Sequence, residues 1–283
     1  MNILIINIGP YGDVLRTTIL LNEFIGHKVY WLTSIKNKDI LVSELIYKKF
    51  YIENILSDYY TIYYDIVISL NEEYPFKYDV KCNKLIGIDK NKEYTNDSSY
   101  WFDMSLSSKY GKEKANELKM KNRKTYNQII IEMVGGNWAE QDYVFPFNKV
   151  ESNKIGLIDS VSGIWKSKKW NGFNKLYELL KSDGLNVSFL QRKLTLKEHI
   201  NDLNDCNLII CPDTFGMHLG IALKKKVISL FNSTSPYEIY DYGRLYKIVS
   251  PVYEKFFYSK EYDENLSNSI DVELVYKKIK EIL

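Results

Sequence analysis

Four loops carry more polar chemistry than a connecting turn requires: residues 9–13, 160–170, 213–217 and 232–236. The most informative is Asp213-Thr214-Phe215-Gly216-Met217-His218, which follows an apolar run at 207–211 (NLIIC) and opens a helix with Gly220 and Ala222. Backbone N–H groups at such a helix start suit a phosphate, and the Thr214 hydroxyl adds a donor. Asp213 can accept hydrogen bonds from sugar or ribose hydroxyls, or from its own loop. His218 lies in the first turn, where it either donates to a phosphate or holds the loop; spacing alone favours the structural role.

The loop at 160–170 contains Ser162, Lys166, Lys168 and Lys169 ahead of Trp170. A lysine projecting there is a point charge suited to a diphosphate, although clustered lysines more often solvate a surface. Lys224-Lys225-Lys226 illustrates that plainer case, at a helix C-terminus where positive charge offsets the dipole. Loop one, Gly9-Pro10-Tyr11-Gly12-Asp13, has G-x-x-G rather than G-x-G-x-x-G, which makes a nicotinamide site a poor fit. Asp13 reads either as a cap for a helix beginning at Val14 or as a general base. Cys82, Cys206 and Cys211 lack the paired spacing of a zinc site and read as free thiols in a reducing compartment.

These loops need strands to present them, and the chain supplies strand-helix alternation throughout. Strands are expected at 2–8, 29–34, 65–70 and 85–89, and helical spacing appears at 17–24, 40–47 and 126–134. After a linker near 147–152 the pattern restarts, with strands at 154–159, 186–190, 207–211 and 227–231. Helices are expected there at 172–182, 196–204, 218–223 and 272–283. This is an α/β chain of two doubly wound units, residues 1–150 and 151–283.

Composition sets the outer bounds. The 283 residues are 45% hydrophobic and 26% charged, with 38 basic against 36 acidic residues and a net charge of +2. That balance does not call for a nucleic-acid partner. No apolar run approaches the roughly 18 residues that span a bilayer, and the N-terminus does not read as a signal peptide, so a cytoplasmic protein is expected. Lys112, Lys114, Lys119, Lys121, Arg123 and Lys124 could meet a phosphorylated glycolipid at the inner membrane face, though a solvated helix face is the commoner meaning. The tyrosines at 47–64 could stack on sugar rings, but with 24 tyrosines in the chain packing explains most of them.

Taken together the motifs resemble glycosyltransferase family 9, the bacterial heptosyltransferases. Ile5-Ile6-Asn7-Ile8-Gly9-Pro10-Tyr11-Gly12-Asp13-Val14-Leu15 is similar to that family's first strand and Gly-Asp turn. Lys168-Lys169-Trp170 resembles its Lys-x-Trp signature. Asp213-Thr214, Met217-His218-Leu219 and Ala222-Leu223 follow its Asp-Thr-Gly-x-x-His and Ala-Leu pattern, while Phe231, Thr234 and Pro236 fall on its Phe-Gly-x-Thr-x-Pro loop.

The resemblance implies a GT-B fold, two Rossmann-like domains facing a central cleft. The first (1–150) would bind the acceptor and the second (151–283) the nucleotide-sugar, with the last helix free to pack back on the first domain. It implies an inverting transfer without metal or other cofactor. ADP-heptose is the foremost donor, and the acceptor is a glycan, glycolipid or protein hydroxyl, as in lipopolysaccharide core synthesis. Carried over, Asp13 is the base, with Tyr11 and Gly12 on the acceptor side. Ser162, Lys168, Asp213, Thr214, Gly216, His218 and Thr234 form the donor site.

Three departures stand out. Phe215 replaces the motif's glycine, with Gly216 one place later. The Phe-Gly-Pro-Thr loop has become Phe231-Asn232-Ser233-Thr234, and the segment at 190–194 is short. They leave open a non-catalytic GT-B protein that binds sugar or nucleotide or assembles a partner. An oxidoreductase would fit the fold but lacks the glycine fingerprint.

Overall fold

The computed structural model describes residues 1–54, 58–71, 79–191 and 193–283; residues 55–57 of the tyrosine-rich stretch and residue 192 of the short segment at 190–194 lie outside the described residues. The chain divides into two compact units, Met1–Pro146 and Phe147–Leu283.

The first unit runs β1 (Asn2–Ile6), α1 (Tyr11–Thr17) prolonged by a 3₁₀ turn (Thr18–Asn22), β2 (Lys28–Thr33), β3 (Ile46–Tyr51), β4 (Tyr63–Ser69) and β5 (Lys81–Gly87). Four helices follow: α2 (Ser99–Ser105), α3 (Ser107–Tyr110), α4 (Lys112–Lys121) and α5 (Tyr126–Met133). The sheet is parallel, in the order β3-β2-β1-β4-β5. Ile3, Leu4, Ile5 and Ile6 are all buried, as a central parallel strand covered on both faces requires. Strand order reverses between β1 and β4, so the crevice beyond their carboxyl ends is where such a sheet presents a ligand.

The helix expected at 40–47 does not form. Turns there bury Ile40 and Leu41, and β3 begins at Ile46. A short apolar run does not distinguish strand from helix, and tertiary pairing with β2 decides it. Lys48 and Lys49 then lie on an edge strand, a common guard against unwanted pairing. Two tyrosines of that stretch are core: Tyr59 and Tyr64 pack with Phe50 and Tyr30, and the Tyr64 hydroxyl donates to the Tyr59 carbonyl at 2.8 Å.

The second unit runs β6 (Ile155–Leu157), a 3₁₀ turn (Lys166–Lys168), α6 (Phe173–Ser182), β7 (Val187–Phe189), α7 (Leu196–Asn204), β8 (Leu208–Pro212), α8 (Phe215–Ala222) and β9 (Lys226–Phe231). It continues through a 3₁₀ turn (Pro236–Glu238), β10 (Leu245–Val249), α9 (Glu264–Ser267) and α10 (Val272–Ile282). The order is β10-β9-β8-β6-β7, again parallel, with reversal between β6 and β8. The start of α7 is set by a capping box in which Thr195 and Glu198 satisfy each other's backbone N–H.

Strand β10 has no clear signature in the sequence, because Lys247 interrupts its apolar pattern; the ammonium of that lysine donates to the Pro236 and Ile239 carbonyls at 2.8 and 2.5 Å. The last helix belongs to the second unit. Val275 and Ile279 of α10 are buried in the second unit's own core with Leu176 and Leu180 of α6. Each such side chain contributes roughly 1.5–3 kcal/mol when removed from water.

Candidate functional site

In the second unit the reversal point is occupied by charge. Asp213 directly follows β8, and its carboxylate is almost fully buried. The Lys168 ammonium donates to its Oδ2 at 3.0 Å and to its backbone carbonyl at 2.6 Å. The Thr234 hydroxyl donates to the same Oδ2 at 2.7 Å. Three loops, after β6, β8 and β9, thus meet on one carboxylate. Burial alone would raise the Asp213 pKa; the charges of Lys168 and His218, with the Thr234 hydrogen bond, overcome this and hold it below the ordinary carboxylate value.

The start of α8 completes this corner. Thr214 is its N-cap residue but makes no side-chain cap bond, so its hydroxyl does not compete for the first-turn N–H groups. The Met217 and His218 N–H groups donate to the Thr214 carbonyl at 3.1 and 3.4 Å. Gly216 lies against Ile158 at the end of β6, where an added Cβ would come within 2.5 Å of Ile158 Cδ1. One turn later, an added Cβ at Gly220 would meet Val227 Cγ2 at 2.7 Å. The two glycines let α8 sit down on the sheet. The Phe215 ring meanwhile stands 6.1 Å from the His199 ring of α7. Glycine has therefore moved one residue along the motif, to the position whose Cβ would collide.

The turn bearing Lys168 is held by a set of side-chain hydrogen bonds. Buried Ser167 contacts the Ser233 hydroxyl at 2.9 Å and donates to the Ser259 carbonyl at 2.5 Å. Asn232 Nδ2 donates to the carbonyls of Lys169 and Ser167 at 2.8 and 3.4 Å. Trp170 Nε1 donates to the Ile270 carbonyl at 2.9 Å. The altered 232–233 pair therefore serves as a clamp, with Asn232 supplying side-chain hydrogen bonds that glycine lacks. Ser162 is exposed, and its hydroxyl accepts from the Trp165 N–H at 3.3 Å.

In the first unit the helix begins at Tyr11, not Val14, with Pro10 at the N-cap. Asp13 is therefore inside the first turn and does not cap. Its Oδ1 pairs with Arg16 at 2.7 Å. The Arg16 guanidinium lies 3.7 Å from the centroid of the Tyr126 ring, a contact that fixes its direction. Tyr11 and Gly12 are half-exposed beside Asp13. The loop is braced by asparagines: Asn7 Nδ2 donates to the Asp13 carbonyl at 3.2 Å, and its Oδ1 accepts from Gly9 N–H at 3.0 Å. Asn71, just beyond β4, accepts from Ile8 N–H at 2.9 Å.

Several of the other polar groups singled out in the sequence have structural partners. Lys114 and Lys121 both pair with Glu117, at 2.8 and 2.5 Å, holding that carboxyl down at about 2. Lys119 is buried against Trp101, and Arg123 donates to the Met120 carbonyl at 2.7 Å. Buried Lys225 donates to the Val150 carbonyl at 3.0 Å. Cys206 and Cys211 are free and buried, and burial pushes the Cys206 thiol up to about 11. Among the described residues no helix is long and apolar enough to cross a membrane, and no three His, Cys, Asp or Glu side chains converge as metal ligands.

Residues 190–264, which include Asp213, Thr214, His218 and Thr234, match the model of glycosyltransferase family 9 (heptosyltransferase). No curated protein sequence matches the chain. Among solved structures, Escherichia coli heptosyltransferase WaaC with ADP-2-deoxy-2-fluoro heptose superposes with a TM-score of 0.65 at 14% identity, covering 100% of both chains. The family 9 glycosyl transferase of Veillonella parvula does so with 0.64 at 14%, over 99% of this chain and 96% of that one. E. coli ADP-heptose lps heptosyltransferase II gives 0.59 at 13%, over 100% and 98%. The chain has the GT-B fold of the heptosyltransferases, and its second unit carries the sequence signature of glycosyltransferase family 9.

Proposed function

We propose that the protein transfers a sugar, heptose foremost, from a nucleotide diphosphate donor to a hydroxyl of a glycan, glycolipid or protein. The transfer inverts the anomeric centre and needs no metal. The observation that carries this reading is the Lys168–Asp213–Thr234 network beside the start of α8, at the reversal point of the second sheet. The superposed WaaC structure holds an ADP-linked sugar analogue, which supports an adenine nucleotide as first candidate.

In the reaction the acceptor oxygen attacks the anomeric carbon in line with the departing phosphate. A new C–O bond forms as the bond to the β-phosphate breaks, and its electron pair leaves with the diphosphate. The hydroxyl proton passes to the Asp13 carboxylate, an assistance of roughly 10²–10⁴-fold. Charge growing on the diphosphate is met by the remaining Lys168 N–H, the Thr214 hydroxyl and the first N–H groups of α8. These fixed donors supply the stabilisation that a cation provides in other transferases.

The test is thermal stabilisation of the purified protein by ADP-, UDP-, GDP- and CMP-linked sugars, repeated with Asp213→Ala and Lys168→Ala. Ligand at a hundredfold excess over Kd adds about 2.7 kcal/mol. A shift with one nucleotide that is lost in both variants, followed by chelator-resistant transfer with inverted product, establishes the proposal. Stabilisation without transfer or donor hydrolysis makes the protein a non-catalytic binder, and no stabilisation with any nucleotide removes the donor site.

A further inference from the structure

The Lys168 ammonium is already committed. Two of its three N–H donors point at Asp213, and the pair is electrically neutral and largely buried. A nucleoside diphosphate brings more negative charge than the single remaining N–H offsets. A second cation shares its aromatic contact. Trp165 has the Lys168 Nζ 5.2 Å from its ring centroid and the Lys260 Nζ 5.3 Å from the same point. Lys260 is exposed and forms no ion pair with any described residue.

The segment carrying Lys260 is built into the Lys168 turn. Ser167 N–H donates to the Lys260 carbonyl at 3.2 Å, and Tyr258 N–H donates to the Ser233 carbonyl at 2.7 Å. Tyr258 holds φ at +53°, a left-handed conformation that non-glycine residues seldom adopt. Its ring packs edge-on against Trp165 at 5.7 Å, and its hydroxyl donates to buried Glu238 at 3.1 Å. Backbone strain held in place by this many contacts is characteristic of a functional wall.

We propose that Lys260, seated on Trp165, is the second phosphate-binding cation of the donor site and makes it select a nucleoside diphosphate over a monophosphate. Trp165 holds both ammonium groups by cation–π attraction, and Asp213 neutralises only one of them. The uncompensated charge is a complement for the distal phosphate. The inference rests on the donor-site reading above and names a residue which that reading does not use.

Calorimetry on the full-length protein tests it, with ADP, AMP and inorganic pyrophosphate as probes. Lys260→Gln, at an exposed position, should weaken ADP and pyrophosphate about tenfold, the loss of one charge-assisted contact, while AMP changes less than about threefold. Trp165→Leu should reproduce the same selective loss, and Lys260→Arg should restore ADP binding. Equal weakening of ADP and AMP by Lys260→Gln, or unchanged ADP binding, overturns the role of Lys260 while leaving the donor site standing. Failure of the wild-type protein to bind ADP or pyrophosphate overturns both.

Discussion

Asp213 is the residue on which the second unit's chemistry converges, and its environment makes a pH prediction. Its pKa lies below the ordinary value, about 3.9 in unfolded chains, so the folded state holds the proton less tightly than the unfolded one. Its contribution to stability is therefore complete above that unfolded value and is lost as pH falls through the folded one. Asp213→Asn leaves Lys168 buried without a counter-charge, a loss of about 3–5 kcal/mol near neutrality. Thermal melts of the two proteins from pH 8 downward should stay well separated down to about pH 4 and converge only below it. A separation that widens in acid would show that the carboxylate is not the group stabilised. Lys168, Asp213, His218 and Thr234 are all legible as candidates from loop position and motif. Their mutual partnership is not, because the three loops that bring them together follow three different strands.

Among the secondary-structure elements, the seat of α8 matters more than its composition. Gly216→Ala places a methyl 2.5 Å from Ile158 Cδ1, so either that side chain or the helix start must yield. Overpacking of this kind costs roughly 1–3 kcal/mol. We expect a melting temperature lower by a few degrees and donor-nucleotide affinity reduced about tenfold, read by calorimetry. Adding Ile158→Val removes Cδ1 and should return most of both losses; no recovery in the double variant would mean that the glycine serves something other than close approach. By the motif alone, Phe215 reads as damage to this helix start. The structure shows the close contact at Gly216 and the Phe215 ring near His199, a distinction that depends on where each Cβ points.

Across the molecule as a whole, each unit has its own parallel sheet, and the second has a core that includes the C-terminal helix. Residues 147–283 expressed alone should therefore unfold cooperatively and retain the Asp213 network. Chemical denaturation followed by far-ultraviolet circular dichroism tests this, and a broad, non-cooperative transition would show that the unit is not self-sufficient. Adding the donor nucleotide identified on the full chain should raise its midpoint, because all the proposed donor groups lie beyond residue 147.

The α/β class, the alternation of strands and helices on both sides of the division near Pro146, and nearly every strand whose carboxyl end bears a candidate residue can be read from the order of amino acids. Those signals are local: buried parallel strands are short continuous apolar runs, and loop glycines and aspartates punctuate them. The rest arises only on folding. Residues 46–51 become an edge strand instead of the end of a helix, because pairing with β2 outweighs an ambiguous period. Asp13 gains an arginine partner fixed on Tyr126, 110 positions further along from Arg16. Ser167, Asn232, Trp165, Tyr258 and Lys260 are set around Lys168. Those contacts join residues up to about a hundred positions apart, and neither composition nor periodicity encodes which distant side chains the folded sheet brings to one end.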